Sequence, residues 1–149
     1  MFQDALRNQI ASFLYENRHE KAFTSALLQS HDNSKKIISW LCSKVDLLGI
    51  LSMYPLPLSQ IVMLSILHQL NLEIEAGPLD GGVSDKLNWI THLAAAIEPM
   101  DPMIAMHVKP VFEQLYNTCC NHGKVGPDFP SIRIRVLQHV LRSVLMMCK

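Results

Sequence analysis

The chain has 149 residues, of which 49% are hydrophobic and 17% charged. That is enough length and apolar content for one domain with a sizeable core, and it excludes a disordered chain. Basic and acidic side chains number 13 each but are unevenly spread: residues 1–45 carry six and four, residues 46–101 one and seven, and residues 102–149 six and two, so a basic tail follows an acidic middle.

Leu, Ile, Met and Ala dominate, and no stretch alternates apolar and polar residues for long, which points to an all-α class. The first helix is expected from about Asp4 to Tyr15, with Leu6, Ile10, Phe13 and Leu14 on one face, before a break at Asn17, Arg18 and His19. A second, from about Glu20 to Gln29, would bury Ala22, Phe23, Ala26 and Leu27. After a polar link, Asn33 or Ser34 is suited to cap a third helix over about Lys35–Lys44, with Ile37, Ile38, Leu41 and Val45 inward. A short apolar helical turn over Val45–Met53 precedes Tyr54, where Pro55 and Pro57 force extended backbone.

The fifth segment, Leu58–Glu75, organises the rest. No charge occurs between Asp46 and Glu73, and Leu58, Ile61, Val62, Leu64, Ile66, Leu67, Leu70 and Ile74 cover more than half of a helical wheel. A helix this apolar is usually surrounded by other helices. Pro55, Pro57, Gln60, His68 and Gln69 interrupt the run, so it falls short of the roughly 20 apolar residues of a membrane span. A glycine-rich loop over Gly77–Gly82 leads to a sixth helix, from Ser84 or Asp85 to about Ile97, with Leu87, Ile90, Ala94 and Ile97 on one face. Asp101 followed by Pro102 is a good start for a seventh helix reaching about Cys120, which Pro110 should kink. A loop over His122–Phe129 precedes a last helix from Ser131 nearly to Lys149. Eight helical segments with short links suggest stacked helical hairpins, HEAT- or armadillo-like, in one domain spanning residues 1–149.

Catalytic patterns are missing. There is no phosphate loop, dinucleotide fingerprint or nucleophile elbow, and His19-Glu20 lacks the second histidine of a zincin helix. Cys119, Cys120 and His122 form the one local metal-like cluster, but vicinal cysteines on a helix point about 100° apart and chelate poorly together. His68 and His92, beside apolar residues, read as hydrogen-bonded core or boundary histidines. No catalytic, cofactor or metal residue is nominated, and no enzyme is expected. Cys42, Cys119, Cys120 and Cys148 form no disulfide framework, and Asp4 and Arg7 stand where a signal peptide needs apolar residues, so a cytosolic or nuclear protein with reduced thiols is expected.

Two features point to partners instead. Met100, Met103, Met106, Met146 and Met147 read first as core filler and second as an adaptable binding groove. In the last helix Ile132, Val136, Val140 and Val144 share one face, extended by Leu137, Leu141 and Leu145. The opposite stripe gathers Arg135, His139, Arg142, Met146 and Lys149, and no acidic residue follows Ser131. The stripe reads first as a solvated helix face and second as a docking surface, in which case these five are the candidate partner-binding residues, for an acidic peptide or for RNA. With few aromatics for base stacking, peptide ranks above RNA.

The run Pro57, Leu58, Ser59, Gln60, Val62, Leu64, Ser65, Gln69 and Leu70, preceded by Trp40, Leu41, Cys42, Val45 and Asp46, resembles the C-terminal domain of the mRNA-decapping scaffold family. Ala22, Phe23, Ala26 and Leu27 fit that family's second helix. Its plant member is called VARICOSE and its animal member enhancer of mRNA decapping; the segment from Trp40 and the closing Leu145–Lys149 look more plant-like. The resemblance implies an all-α stack of hairpins that catalyses nothing, and a fragment of a longer scaffold with a WD40 propeller and a linker. It implies a cytoplasmic protein of processing bodies that contacts the decapping enzyme, its activators and other mRNA-decay factors. Self-association is compatible with such a scaffold. Leu58, Val62, Leu64, Trp40 and Leu41 are expected in the core, Ser59 and Asp46 as caps. Direct RNA binding through the basic last helix is the competing expectation.

Overall fold

The computed structural model describes residues 2–28, 37–42, 44–45, 47–53, 58–76, 83–122 and 131–148; within these, the side chains of residues 2–4, 6, 37, 39, 47–48, 73–76, 83–87, 119–122 and 131–134 lie outside the description. Eight α-helices and no strand occur among the described residues. They are α1 (Phe2–Tyr15), α2 (His19–Leu28), α3 (Ile37–Cys42), α4 (Leu47–Leu51), α5 (Gln60–Ala76), α6 (Val83–Ala96), α7 (Ala105–His122) and α8 (Ser131–Met147). All eight expected segments are present, with shifted ends. The expected caps at Asn33, Ser34 and Asp46, the extended Tyr54–Pro57 and the Gly77–Gly82 loop lie outside the described residues.

Local chemistry explains the boundaries. Asn17 has φ 60°, and behind it the Arg18 N–H donates to Phe13 O at 2.8 Å and the Asn17 N–H to Leu14 O at 3.0 Å. That bond pair with one left-handed residue is a Schellman end, and asparagine tolerates the left-handed region at low cost. At the start of α5, Ser59 Oγ accepts from the Val62 N–H at 3.3 Å and Ser59 O from the Met63 N–H at 3.0 Å, so Ser59 is the expected N-cap. Its own N–H donates to Glu20 Oε1 of α2 at 2.8 Å. The Gln60 side chain then closes the end of α6: Oε1 accepts from the Glu98 N–H at 2.8 Å and Nε2 donates to Ala96 O at 3.4 Å. Asp101 Oδ1 accepts from the Met103 N–H at 2.9 Å, and a tight turn over 102–104 leads into α7, which starts three residues later than its proline suggests. Pro110 lies inside α7, and the helix continues through it.

α6 packs chiefly on α5 and α8, and α7 on the same two helices. α1 packs on α2 at one end and α7 on α8 at the other, while α5 meets α2, α3, α6 and α7. This is the expected all-α hairpin stack, with α5 as its axis. Along α5 the side chains of Met63, Leu64, Ile66, Leu67 and Leu70 are buried, joined by Leu58 just before it. Phe23 of α2 and Trp89 of α6 meet against this core, ring centroids 5.9 Å apart. Ile10, Ile38, Leu41, Ile90, Leu93, Phe112, Leu137 and Leu141 complete one contiguous apolar cluster. Of the motif residues expected in the core, Leu41, Leu58 and Leu64 are buried, whereas Trp40 and Val62 pack half-buried against it.

Candidate interaction surfaces

The outer face of α8 is the first surface. α8 packs against both α6 and α7 and buries Leu137, Leu141 and Val144, which lie within about 60° of one another on a helical wheel. Arg135, His139, Arg142 and Met146 fall opposite and are all exposed, Met146 to 81%. Lys149 lies outside the described residues. The face expected inward was too broad on one side. Val136 is 49% exposed, because two packing neighbours turn the Leu137–Leu141 line into the core and leave Val136 about 100° away from it. The basic stripe therefore borders exposed apolar atoms of Val136, Met146 and Met147.

One of the cations is already engaged. Arg142 Nη2 donates to Tyr116 Oη on α7 at 2.7 Å, and its guanidinium carbon lies 5.7 Å from the centre of that ring. This fixes Arg142 relative to the α7–α8 seam.

The methionines correct a second expectation. Met100, Met103, Met106, Met146 and Met147 are all exposed, so none of the five is core filler; the methionine inside the core is Met63. Their unbranched thioethers stand in solvent, where they are suited to adaptable contacts.

The second surface is an apolar groove of about 520 Å³ between α2 and α7. Its floor is α5, which contributes Ile61, Leu64, Ser65, His68 and Gln69. Leu27 stands on the α2 side, and Met103, Ile104, His107 and Val111 on the α7 side. Ile61 is 45% exposed and Met103 68%. Among the described residues no Asp, Glu, Lys or Arg lines the groove. His68 is half-buried, the boundary position of the two expected for it, and its Nδ1 is enclosed without a hydrogen-bond partner. The sequence does not separate the groove from the core, because a helix as apolar as α5 reads as uniformly enclosed. The signal was there: Ile61, Ser65, His68 and Leu72 recur at helical spacing, and two of the four are polar.

A smaller concavity of about 430 Å³ lies at the α1–α2 junction, lined by Asn17, Arg18, His19, Glu20, Lys21 and Thr24. Arg18 and Lys21 lie 5.7 Å and 5.0 Å from the Phe13 ring centre, within cation–π range. Glu16 sits 3.5 Å from Arg18 and Glu20 lines the same wall, so opposite charges offset one another here.

Among the described residues no group of three or more His, Cys, Asp or Glu could hold a metal ion. The Cys119, Cys120 and His122 side chains lie outside the description. Among the described residues no helix is long and apolar enough to cross a membrane.

A family model described as the C-terminal region of enhancer of mRNA-decapping protein 4 matches residues 10–137. The curated proteins and the solved structures yield no match. The matched span takes in the whole groove and Arg135 and ends before His139, Arg142 and Met146. With most of its helices inside that match, this chain belongs to the enhancer of mRNA-decapping protein 4 C-terminal family.

Proposed function

We propose that this chain is a non-catalytic protein-interaction domain, the C-terminal part of an mRNA-decapping scaffold, and that the outer face of α8 is a docking surface. Arg135, His139, Arg142 and Met146, with Lys149 beyond them, would meet the decapping enzyme, its activators or other decay factors in the cytoplasm, and so help to target the scaffold to processing bodies. The observation that carries this reading is Met146, 81% exposed beside three basic side chains on a helix whose other side is core. Arg142 also ties α8 to Tyr116, but like charges one turn apart repel slightly, so folding gives no reason to add Arg135 and His139 to the same stripe. An acidic partner with an apolar anchor does. Such a scaffold catalyses nothing itself; by tethering, it makes weak contacts behave as intramolecular ones.

Direct RNA binding by the same stripe is the competing reading, favoured by the absence of any acidic residue after Ser131. The scaffold carrying Arg135→Glu/Arg142→Glu tests both. On the protein reading, the variant melts like wild type while decapping-factor pull-down and processing-body recruitment fall, mainly through slower association. Normal recruitment and pull-down by a folded variant would place the partner surface elsewhere. A salt titration separates the two ligands, since phosphate-driven binding weakens steeply as salt rises, in proportion to the contacts made.

A further inference from the structure

We propose that the turn leading into α7 is a site for a soft monovalent metal ion, Cu(I), held by the thioethers of Met103 and Met106 and the imidazole of His107. The site uses none of the α8 stripe and does not depend on it.

The winding of the backbone carries the first part. Asp101 starts the turn: its Oδ1 accepts from the Met103 N–H at 2.9 Å, and its carbonyl from the Ile104 and Ala105 N–H groups at 3.1 Å and 2.9 Å. Ile104 O then accepts from the His107 and Val108 N–H groups at 2.8 Å and 3.1 Å, so the chain passes through two successive helical turns into α7. Ile104 and Val108 are buried and mark the inward side. At about 100° per residue, Met106 falls opposite that side and Met103 lies between Met106 and His107. Exposure agrees: Met103 is 68% and Met106 85% exposed, and His107 is exposed as well. Positions i, i+3 and i+4 on a helix have Cβ atoms about 5–6 Å apart, close enough for three long side chains to meet on one ion.

This arrangement singles out Met103 among the methionines. It has three sulfur or imidazole neighbours three or four residues away, namely Met100, Met106 and His107. Met53, Met63, Met146 and Met147 have none at those spacings. Met100, exposed in the turn before Asp101, is a further thioether on this stretch.

The donor set decides the metal. Thioethers are soft and select Cu(I), and imidazole suits copper too, whereas magnesium, calcium and manganese prefer oxygen. Structural zinc takes thiolate, imidazole or carboxylate, not thioether. The lack of a His, Cys, Asp or Glu cluster among the described residues bears on those ions and leaves a methionine site open.

The test is NMR of 13C-labelled methionine methyls during an anaerobic titration with Cu(I), with ascorbate keeping the ion reduced. Thiolates compete for Cu(I), so the protein carries Cys119→Ser/Cys120→Ser/Cys148→Ser; Cys42 is buried and stays. The Met103 and Met106 methyls should shift together and saturate at one equivalent, before those of Met53, Met63, Met146 and Met147 move. Met103→Leu keeps an apolar side chain and removes the sulfur, so the Met106 response should weaken at least tenfold. His107→Phe should also weaken it, and Met146→Leu/Met147→Leu should leave it unchanged. Equal shifts at all exposed methionines, or a full Met106 response in Met103→Leu, overturns the site. Zinc that moves both methyls as Cu(I) does overturns the choice of a soft ion. If the cysteine variant melts far below wild type, the wild-type domain is titrated past the capacity of its four thiols. Met103 and Met106 should still respond before Met146 and Met147; simultaneous or reversed order refutes the proposal.

Discussion

Arg142 of α8 and Tyr116 of α7 are joined by a 2.7 Å hydrogen bond, guanidinium to phenol, across the seam of the last hairpin. The basic stripe of α8 thus has two kinds of member. Arg142 is held in one geometry and contributes to the hairpin as well as to the surface, while Arg135 and His139 extend from the same face farther toward the helix start. A solvent-exposed bond of this kind contributes modestly, about 0.5–1.5 kcal/mol.

Tyr116→Phe separates these roles. The variant keeps the ring and loses the acceptor, so it should melt within a few degrees of wild type, in line with a loss of roughly 1 kcal/mol in a domain of this size. Its decapping-factor binding should fall less than that of Arg142→Glu, which also reverses a charge. Equal loss in both would show that the orientation given by Tyr116, and not the charge, is what the partner reads.

Leu67 lies at the centre of α5 with no exposure at all. Leu67→Asp would place an unpaired carboxylate among Ile66, Leu70 and their neighbours, at a cost of several kcal/mol against a total stability of about 5–15 kcal/mol. The expected outcome is an insoluble or unfolded domain by circular dichroism. A soluble variant with a cooperative melt would remove α5 from its place as the core helix.

How far the sequence reached can be traced residue by residue. The length and apolarity of the run after Ser59 identified α5 and its cap, because cap chemistry and periodicity are local. Asn17 marked the end of α1 for the same reason. The exposure of the five methionines and of Val136 differs from expectation because it depends on which neighbour turns against a segment, and no segment's own pattern shows its neighbours. The groove lay hidden for a related cause: an apolar floor reads as core until one knows that α2 and α7 stand apart above it. The Arg142–Tyr116 bond joins residues 26 apart, beyond any spacing rule.

Gln60 ties the start of α5 to the end of α6 through both ends of its amide, at 2.8 Å to the Glu98 N–H and 3.4 Å to Ala96 O. The shorter bond carries most of the effect, since 3.4 Å lies outside the usual N–H···O range. Gln60→Ala should therefore cost about 1 kcal/mol, read as a lower denaturant midpoint with an unchanged slope. Gln60→Glu keeps the acceptor for Glu98 and abolishes the donor to Ala96, so it should recover most of the loss. If Gln60→Glu falls as low as Gln60→Ala, the bond to Ala96 is the one that matters.

Asn71 is the least expected residue of the core. It is 1% exposed on α5, and neither its Oδ1 nor its Nδ2 has a hydrogen-bond partner. An amide enclosed in this way forfeits its bonds to water on folding and receives none in return, at a cost of about 1–3 kcal/mol. Leucine has nearly the same branched outline, with two methyls where the amide has oxygen and nitrogen, so it fits the site with little overpacking. Asn71→Leu should therefore raise the stability of the domain by about 1–2 kcal/mol, the desolvation cost removed less a small packing adjustment. Because Asn71 lines neither the groove nor the α8 face, binding of decapping factors should be unchanged. Chemical denaturation of the two proteins side by side checks the first expectation and decapping-factor pull-down the second. A midpoint that falls in Asn71→Leu would mean that the amide is satisfied in solution, by a water or a side chain that reaches it, and that α5 opens at this turn.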